Sequence, residues 1–264
     1  MKFGIIAVGR DCAGVIDEVL APWIESFRRH DMHICLLSAT FKEMEGLLPA
    51  GPDKATEDAM ERYALKYSDR ISSVMFRNYA TEAEVRERGR QVLMARDVKA
   101  DLVCILDCAD ELYTVEQIDR IIRFVEHYPL MAWYKLSFKN YVFNDHTYLV
   151  QPFQPPRIWW CKYGERVLTQ CSYDNDFEYA KLDGTSSVKD DKLPSLVIPP
   201  NVVWIRHLSW LSNERSRLKV AYQAKHFGHG AGCSYRWDES TNSLTWNQAY
   251  FDRLKLPLPE VVHE

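Results

Sequence analysis

The sequence lacks several features that would each settle a function class. It has no C-x-x-C pair: its seven cysteines, Cys12, Cys35, Cys104, Cys108, Cys161, Cys171 and Cys233, stand singly along 264 residues. An odd number without paired spacing argues against a disulfide framework and a zinc knuckle, so reduced, mostly buried thiols are expected. Cys35 and Cys104 sit in apolar runs, where a free thiol packs as a small hydrophobe. Positive charge is not in excess either: 33 Lys and Arg face 37 Asp and Glu, a formal charge of −4. That leaves no net field for a polyanion, so nucleic acid is not an expected partner. Long hydrophobic runs are missing as well. The longest, Asp101 to Leu106 and Val197 to Ile205, are broken by Pro, Asp or Arg, well short of the ~20 residues of a span, so no transmembrane segment is expected. Met1 to Val8 is apolar, but Arg10 and Asp11 follow where a signal peptide would continue, and the expectation is a cytoplasmic protein. No internal repeat or low-complexity tract is found.

What is present is ordinary globular composition, 47% hydrophobic, 12% aromatic and 27% charged, enough for one large domain or one domain with an appendage. Strand and helix signals alternate through the first hundred residues, which predicts an α/β layered domain with a mostly parallel sheet. Phe3 to Val8 reads as a buried strand. Gly14 to Arg28 then places Val15, Val19, Leu20, Trp23 and Phe27 at helical spacing, with Pro22 discordant. His33 to Leu37 and Ile71 to Phe76 read as strands on either side of a helix from about Thr56 to Tyr67. Thr81 with Glu84 has capping-box spacing and opens a helix expected to reach about Lys99; Thr114 with Gln117 repeats it. Between them Leu102 to Leu106 is a strand-length apolar run that ends abruptly in Asp107-Cys108-Ala109-Asp110-Glu111.

From Met131 the texture becomes aromatic and strand-rich, which predicts an antiparallel extension of the sheet. Asp174 to Pro194 is polar and acidic, with Gly184, Ser186 and Ser187, and reads as a mobile loop. Val202 to Ile205 is strand-like, and a basic helix is expected over about Asn213 to Phe227, capped by Ser212 and closed by Gly228. Past Gly232 little periodicity is evident. The division expected is 1–211 for the main domain and 212–264 for a C-terminal helix and tail packed on it.

In a parallel α/β sheet ligands bind beyond the carboxyl ends of the strands, where Asp107, Asp110 and Glu111 emerge. Three carboxylates within five residues repel one another unless solvent or a cation offsets the charge, and hard oxygens suit Mg²⁺ or Mn²⁺ completed by substrate phosphates. The plainer alternative is that Asp107 ends the strand and the other two favour the N-terminus of the following helix.

These residues carry a resemblance. Gly89 to Arg96, followed by Asp101-Leu102-Val103-Cys104-Ile105-Leu106-Asp107-Cys108-Ala109-Asp110-Glu111-Leu112-Tyr113-Thr114, resembles the family 2-type glycosyltransferases of the GT-A fold. In that family a hydrophobic strand runs into L-D-A-D-E. Phe3 to Leu20 is similar to its first strand and helix, while the second half matches only in Pro156-Arg157-Ile158 and Trp204-Ile205-Arg206-His207. The resemblance implies a GT-A, Rossmann-like sheet flanked by helices, with a C-terminal helical segment. It implies a nucleotide-diphosphate sugar as donor, Mn²⁺ or Mg²⁺ as metal, and a glycan or other hydroxyl acceptor. Asp110 aligns with the metal-binding aspartate, and His207 resembles a late histidine that contacts metal or diphosphate. Ala7, Gly9, Arg10, Ser38, Arg90 and Asp107 are then expected on the nucleotide side. A general base for an inverting transfer is expected among Asp174, Asp176, Glu178 and Asp183, with Asp176 preferred.

Two departures stand out. One residue is added between Asp107 and Asp110, and Ser38-Ala39-Thr40-Phe41-Lys42 lacks the acids that the family often places there to hold base and ribose. Elsewhere, Arg215, Arg217, Lys219 and Lys225 either screen a leaving diphosphate or form a solvated helix face. Trp159, Trp160, Tyr163, Trp204 and Trp210 offer sugar-stacking faces or ordinary packing. His226 and His229, without acidic or Cys partners nearby, read as part of a helix terminus. The expected function is metal-dependent glycosyl transfer. The alternatives are a catalytically lapsed module that binds glycan or nucleotide, and, third, a sugar nucleotidyltransferase, for which the G-x-G-rich loop after the first strand is wanting.

Overall fold

In the computed structural model the described residues are 1–51, 53–95, 97–142, 146–150, 156–161, 194–210, 216–221, 235–255, 258 and 262–263, with the backbone of 167–171, 177–180 and 187–189. The first half builds β1 (Lys2–Gly9), α1 (Ile16–Ser26), β2 (Asp31–Ser38), α2 (Lys54–Lys66), β3 (Ile71–Met75), α3 (Glu82–Met94), β4 (Leu102–Asp107), β5 (Glu111–Leu112) and α4 (Val115–His127). The aromatic half adds β6 (Trp133–Lys135), β7 (Ser137–Val142), β8 (Thr147–Val150) and β9 (Pro156–Trp160). Then follow β10 (Val167–Cys171), β11 (Phe177–Ala180), β12 (Ser187–Lys189), β13 (Ser195–Val197) and β14 (Trp204–Trp210). A helical stretch over 216–221, a hairpin of β15 (Tyr235–Asp238) and β16 (Ser243–Trp246), a helix Gln248–Leu254 and β17 (Val262–His263) complete it.

The main sheet has seven strands in the order β13-β6-β9-β4-β1-β2-β3. Its pairings are parallel except for β9, which runs antiparallel to both β4 and β6. Alternation along the strands divides the core between two faces. Phe3, Ile5 and Ala7 of β1, with Leu102, Cys104 and Leu106 of β4, pack on Val19, Leu20 and Trp23 of α1 and Ile118, Ile121 and Val125 of α4. Ile6, Val103 and Ile105 point the other way, to Val85 and Leu93 of α3. Burial on both faces is what makes these strands continuous apolar runs. Gly89 lets α3 approach closely, since a Cβ there would lie 2.9 Å from Ile6 Cγ2.

Local signals set the helix starts: Thr81 with Glu84 and Thr114 with Gln117 both form complete capping boxes. α1 runs unbroken through Pro22, and its C-terminal end is tied to α4 by Arg29 and His30 on Asp119, at 2.5 and 2.7 Å. Three expectations are corrected. α3 stops at Met94 rather than near Lys99, because the chain reverses: Ala100 N donates to Leu93 O at 2.8 Å and Lys99 takes a φ of 51°. The segment from Asp174 to Pro194 is not one loop. Phe177–Ala180 and Ser187–Lys189 are strands in an antiparallel sheet β10-β11-β12, and the two-residue spacing of Phe177 and Tyr179 is the strand signal within the polar segment. The tail, read as having little periodicity, forms the β15–β16 hairpin, and β17 returns to pair with β8. Ser212 and Gly228, the expected ends of the basic helix, lie outside the described residues.

A second sheet of five strands, β17-β8-β7-β14-β5, sets β14 antiparallel to β5 at Glu111 and Leu112. The acidic junction after β4 is therefore shared between the two sheets. Among the described residues no helix is long and apolar enough to cross a membrane.

Candidate functional site

A cleft with a cavity volume of about 380 Å³ opens at the carboxyl ends of β1, β2 and β4, where an open parallel sheet characteristically binds ligands. Gly9 and Arg10 reach it from the turn after β1, Thr40 and Phe41 from beyond β2, and Asp107 and Asp110 from beyond β4.

The turn after β1 is pinned to the start of α2. Asp11 N donates to Asp53 Oδ2 and Cys12 N to Thr56 Oγ1, both at 2.9 Å. Partial burial pushes the Asp53 carboxyl up, but the bonds it accepts from Thr56 and Asp11, with Arg10 nearby, outweigh burial and hold it below its usual range. Arg10 is committed within the protein: its guanidinium donates to Thr40 Oγ1, to Pro49 O at 2.8 Å and to Gly51 O at 3.0 Å. Thr40 Oγ1 itself donates to Gly51 O at 2.6 Å. Arg10 and Thr40 thus staple the loop after β2 against the cleft. Gly9 has to be glycine for a packing reason. A Cβ on it would lie 2.8 Å from both Cys108 Cβ and Cys12 Sγ, far inside van der Waals contact.

The acidic junction is a β-turn. Cys108 N continues the ladder to Val8 O at 2.8 Å, Asp110 N closes the turn on Asp107 O at 3.3 Å, and Leu208 N of β14 holds Asp110 O at 2.8 Å. Asp107 Oδ1 accepts the Ala109 N–H at 3.0 Å. The residue added between the two aspartates is accommodated by this four-residue turn, and both aspartates are among the residues that line the cleft. Glu111 differs from its neighbours: it is 0% exposed. Its Oε1 pairs with Arg157, and its Oε2 accepts Asp107 N at 3.3 Å and Tyr113 Oη at 3.4 Å. Burial pushes its carboxyl up and Arg157 acts against that push.

Basic side chains come from separate elements. Arg86 of α3, Arg157 of β9 and Lys219 of the 216–221 stretch all line the cleft. The expected Arg90 does not; it is paired with Glu87 at 2.7 and 2.8 Å. Arg86, one helical turn earlier, takes the cleft position, and nothing in the sequence distinguishes the two.

Ala7, Ser38 and His207 do not line the cleft either. Ala7 faces the α1 side of the core. Ser38 is fully buried beside Gly9 in register, and its Oγ has no hydrogen-bond partner among the described residues. His207 stands opposite Glu111 in the β14–β5 pairing. Its Nδ1 lies 2.6 Å from Asn140 Oδ1 and its ring meets Phe138 edge-on at 5.7 Å. Burial, and then the charges of Lys219 and Arg157, hold the imidazole well below its ordinary pKa, so it is neutral. Among the aromatic candidates, Trp159 is buried in the α3 side of the core, and Trp160 donates to Tyr134 Oη at 3.2 Å. Asp174, Asp176 and Asp183 lie outside the described residues, as do His226 and His229. For Glu178 only the backbone, in β11, is described.

Among the described residues no three His, Cys, Asp or Glu side chains gather into a metal-holding group. Two carboxylate residues of one turn lining the cleft, Asp107 and Asp110, nevertheless fit a hard cation, because Mg²⁺-like ions take one or two protein carboxylates and complete their shell with phosphate and water.

No family model matches the chain, and no curated protein matches it in sequence. Among solved structures it is similar to the mannosyltransferase PcManGT from Pyrobaculum calidifontis, solved in complex with GDP-Man and Mn²⁺, with a TM-score of 0.50 at 11% identity. The likeness covers 86% of this chain and 62% of that one, so this chain matches less than two thirds of that enzyme's length. What the two share is the fold: a mostly parallel α/β sheet flanked by helices, the GT-A arrangement of that glycosyltransferase.

Proposed function

We propose that this chain is a metal-dependent glycosyltransferase that moves a sugar from a nucleotide-diphosphate donor to a hydroxyl acceptor. The observation that carries the reading is that the acidic turn and basic residues line one cleft at the carboxyl ends of β1, β2 and β4. The shared fold with an enzyme solved with GDP-Man and Mn²⁺ supports it. In this reading Asp110, with Asp107, holds Mn²⁺ or Mg²⁺, which when bound offsets charge on the departing diphosphate. Gly9 leaves room for the acidic turn to lie against the first turn. Arg10 contributes by keeping the loop after β2 in place along the cleft. His207, opposite Glu111 and outside the cleft lining, acts in this reading through its neighbours rather than as a ligand to the cation. The proton of the acceptor hydroxyl is assigned to a carboxylate of the 174–183 segment, Asp176 first.

The test is a panel of nucleotide sugars incubated with the protein, with and without Mn²⁺, reading release of nucleoside diphosphate. Metal-dependent release for one donor is the expected result, and Asp176→Asn should keep donor affinity while losing transfer, since a base acts in the transition state. A second reading, a module that binds nucleotide or glycan without turnover, is favoured by one observation: Arg10 and Thr40 bond to each other and to loop carbonyls where the family's base-holding acids are absent. Saturable binding across the panel with no release in any condition would select it.

A further inference from the structure

We propose that Cys12 and Cys108 form a redox-sensitive dithiol beside Gly9. A peroxide converts the two thiols into one disulfide, which ties the turn after β1 to the acidic turn after β4 and puts Asp107 and Asp110 out of place. The pairing rests on geometry alone; its effect on turnover rests on the proposed function.

Two thiols far apart in the chain share one small space. Cys12 lies just before α1, where its carbonyl accepts Ile16 N at 2.8 Å, and Cys108 follows the last residue of β4. Both are 0% exposed and both are reduced. A Cβ on Gly9 would lie 2.8 Å from Cys12 Sγ and 2.8 Å from Cys108 Cβ. Those two atoms are therefore separated by no more than twice that distance, and the missing side chain of Gly9 leaves the gap between them open. A second observation agrees: after burial, the neighbouring Cys12 is the first group that pushes the Cys108 thiol up. A disulfide needs Cβ atoms about 3.5–4.5 Å apart, which side-chain rotation and a slight shift of one turn supply.

The hydrogen bonds say which side yields. Cys12 is held at both backbone groups, by Thr56 Oγ1 at 2.9 Å and by the first amides of α1. The acidic turn is fastened at Cys108 N and Asp110 O, but the bond that closes it, Asp110 N to Asp107 O, is long at 3.3 Å. Drawing Cys108 onto Cys12 thus shifts the turn whose aspartates line the cleft. Other buried cysteines are poorly placed to compete. Cys35 and Cys161 pack on the opposite face of the sheet, and Cys104 is four residues before Cys108 on β4, about 13 Å away at strand spacing.

The chemistry is a two-electron oxidation. Hydrogen peroxide takes one thiol to a sulfenic acid as its O–O bond breaks and a water leaves. The second sulfur attacks the first, the S–S bond forms, the S–O bond breaks and a second water leaves. Burial keeps the oxidant out until one of the turns opens locally.

The experiment treats the reduced full chain with hydrogen peroxide, blocks the remaining thiols in denaturant and maps peptides by non-reducing mass spectrometry. The expected product is a Cys12–Cys108 linked peptide, lighter by two hydrogens and cleaved by dithiothreitol, with Cys35, Cys104 and Cys161 still blocked as thiols. Oxidation of the denatured chain should instead scatter links among the cysteines. Mn²⁺-dependent release of nucleoside diphosphate should fall about tenfold or more in the linked protein, as for misplaced active-site groups, and return with dithiothreitol. In Cys12→Ser it should withstand peroxide; Cys12→Ala replaces that variant should it fail to fold. Thiols oxidised singly, or other pairings in the folded chain, would overturn the dithiol. A linked protein with full turnover would overturn its hold on the acidic turn. No turnover in the reduced protein would overturn the proposed function, and the peptide map alone would then decide the dithiol.

Discussion

The acidic and the basic residues of the cleft are supplied by opposite means. The acids belong to a single β-turn in which Asp107 and Asp110 are three residues apart, closed by its own backbone bond and fastened to β1 and β14. The bases have no local unit: Arg86 comes from α3, Arg157 from β9 and Lys219 from the 216–221 stretch. A turn carries its side chains wherever it is placed. Cations on three separate elements meet only if the sheets and helices between them pack correctly. The acidic turn should therefore respond to single local changes, and the basic residues to changes in the packing beneath them.

The sharpest break is Asp110→Ala. The backbone bonds of the turn persist without its side chain, so the fold should be kept, and if the proposed function holds, metal-dependent donor turnover should fall about 100-fold or more, the scale of losing a metal's charge stabilisation. Unchanged turnover with Mn²⁺ present would remove Asp110 from the site. Gly9→Ala attacks the floor shared by the two turns. Its Cβ would press on Cys108 and Cys12, so a loss of roughly 1–3 kcal/mol in denaturant unfolding is expected. Adding Cys12→Ala should return part of it; a double variant no better than the single one would show that the crowding lies elsewhere.

Acid titration probes burial in both sheets. His33, bonded to Ser72 Oγ at 2.9 Å, and His207 both have pKa values lowered first by burial. From pH about 6.5 downward the unfolded chain binds protons on these rings that the folded chain refuses. Stability should therefore be fully present above that pH and fall as pH drops, by at most about 1.4 kcal/mol per pH unit for each ring. His33→Gln should flatten the slope between pH 6.5 and 5, and an unaltered slope would clear His33 of any share. The smallest effect belongs to a local device away from the cleft. Thr114→Ala removes the cap and box of α4 and should cost about 1 kcal/mol with no change in ligand affinity.

Much of the first half was legible because its information is local. Apolar runs, both capping boxes and the junction at Asp107 need only neighbours in sequence to be read, and the structure puts β1, β2, β4 and α4 where those signals placed them. Helix α3 was overrun because nothing local announces the reversal at Lys99. That Arg86 rather than the expected Arg90 lines the cleft has a related reason. Four residues apart on one helix, the two share a face, and only the position of α3 along the sheet decides which of them reaches the cavity.

By itself the sequence determined a layered α/β chain with an acidic turn at the end of a buried strand, since periodicity, capping and turn formation are properties of short stretches. Tertiary structure decided the rest of the site. It inserted β9 antiparallel between β4 and β6 and so brought Arg157 to Glu111 across 46 positions of chain. It turned Arg10 inward to hold a loop and set His207 behind Glu111 on the neighbouring strand. The physical reason is that a charge acts through space and not along the chain: what Glu111 or Arg157 does depends on burial and on the opposite charge beside it, and both are fixed only when distant strands pair.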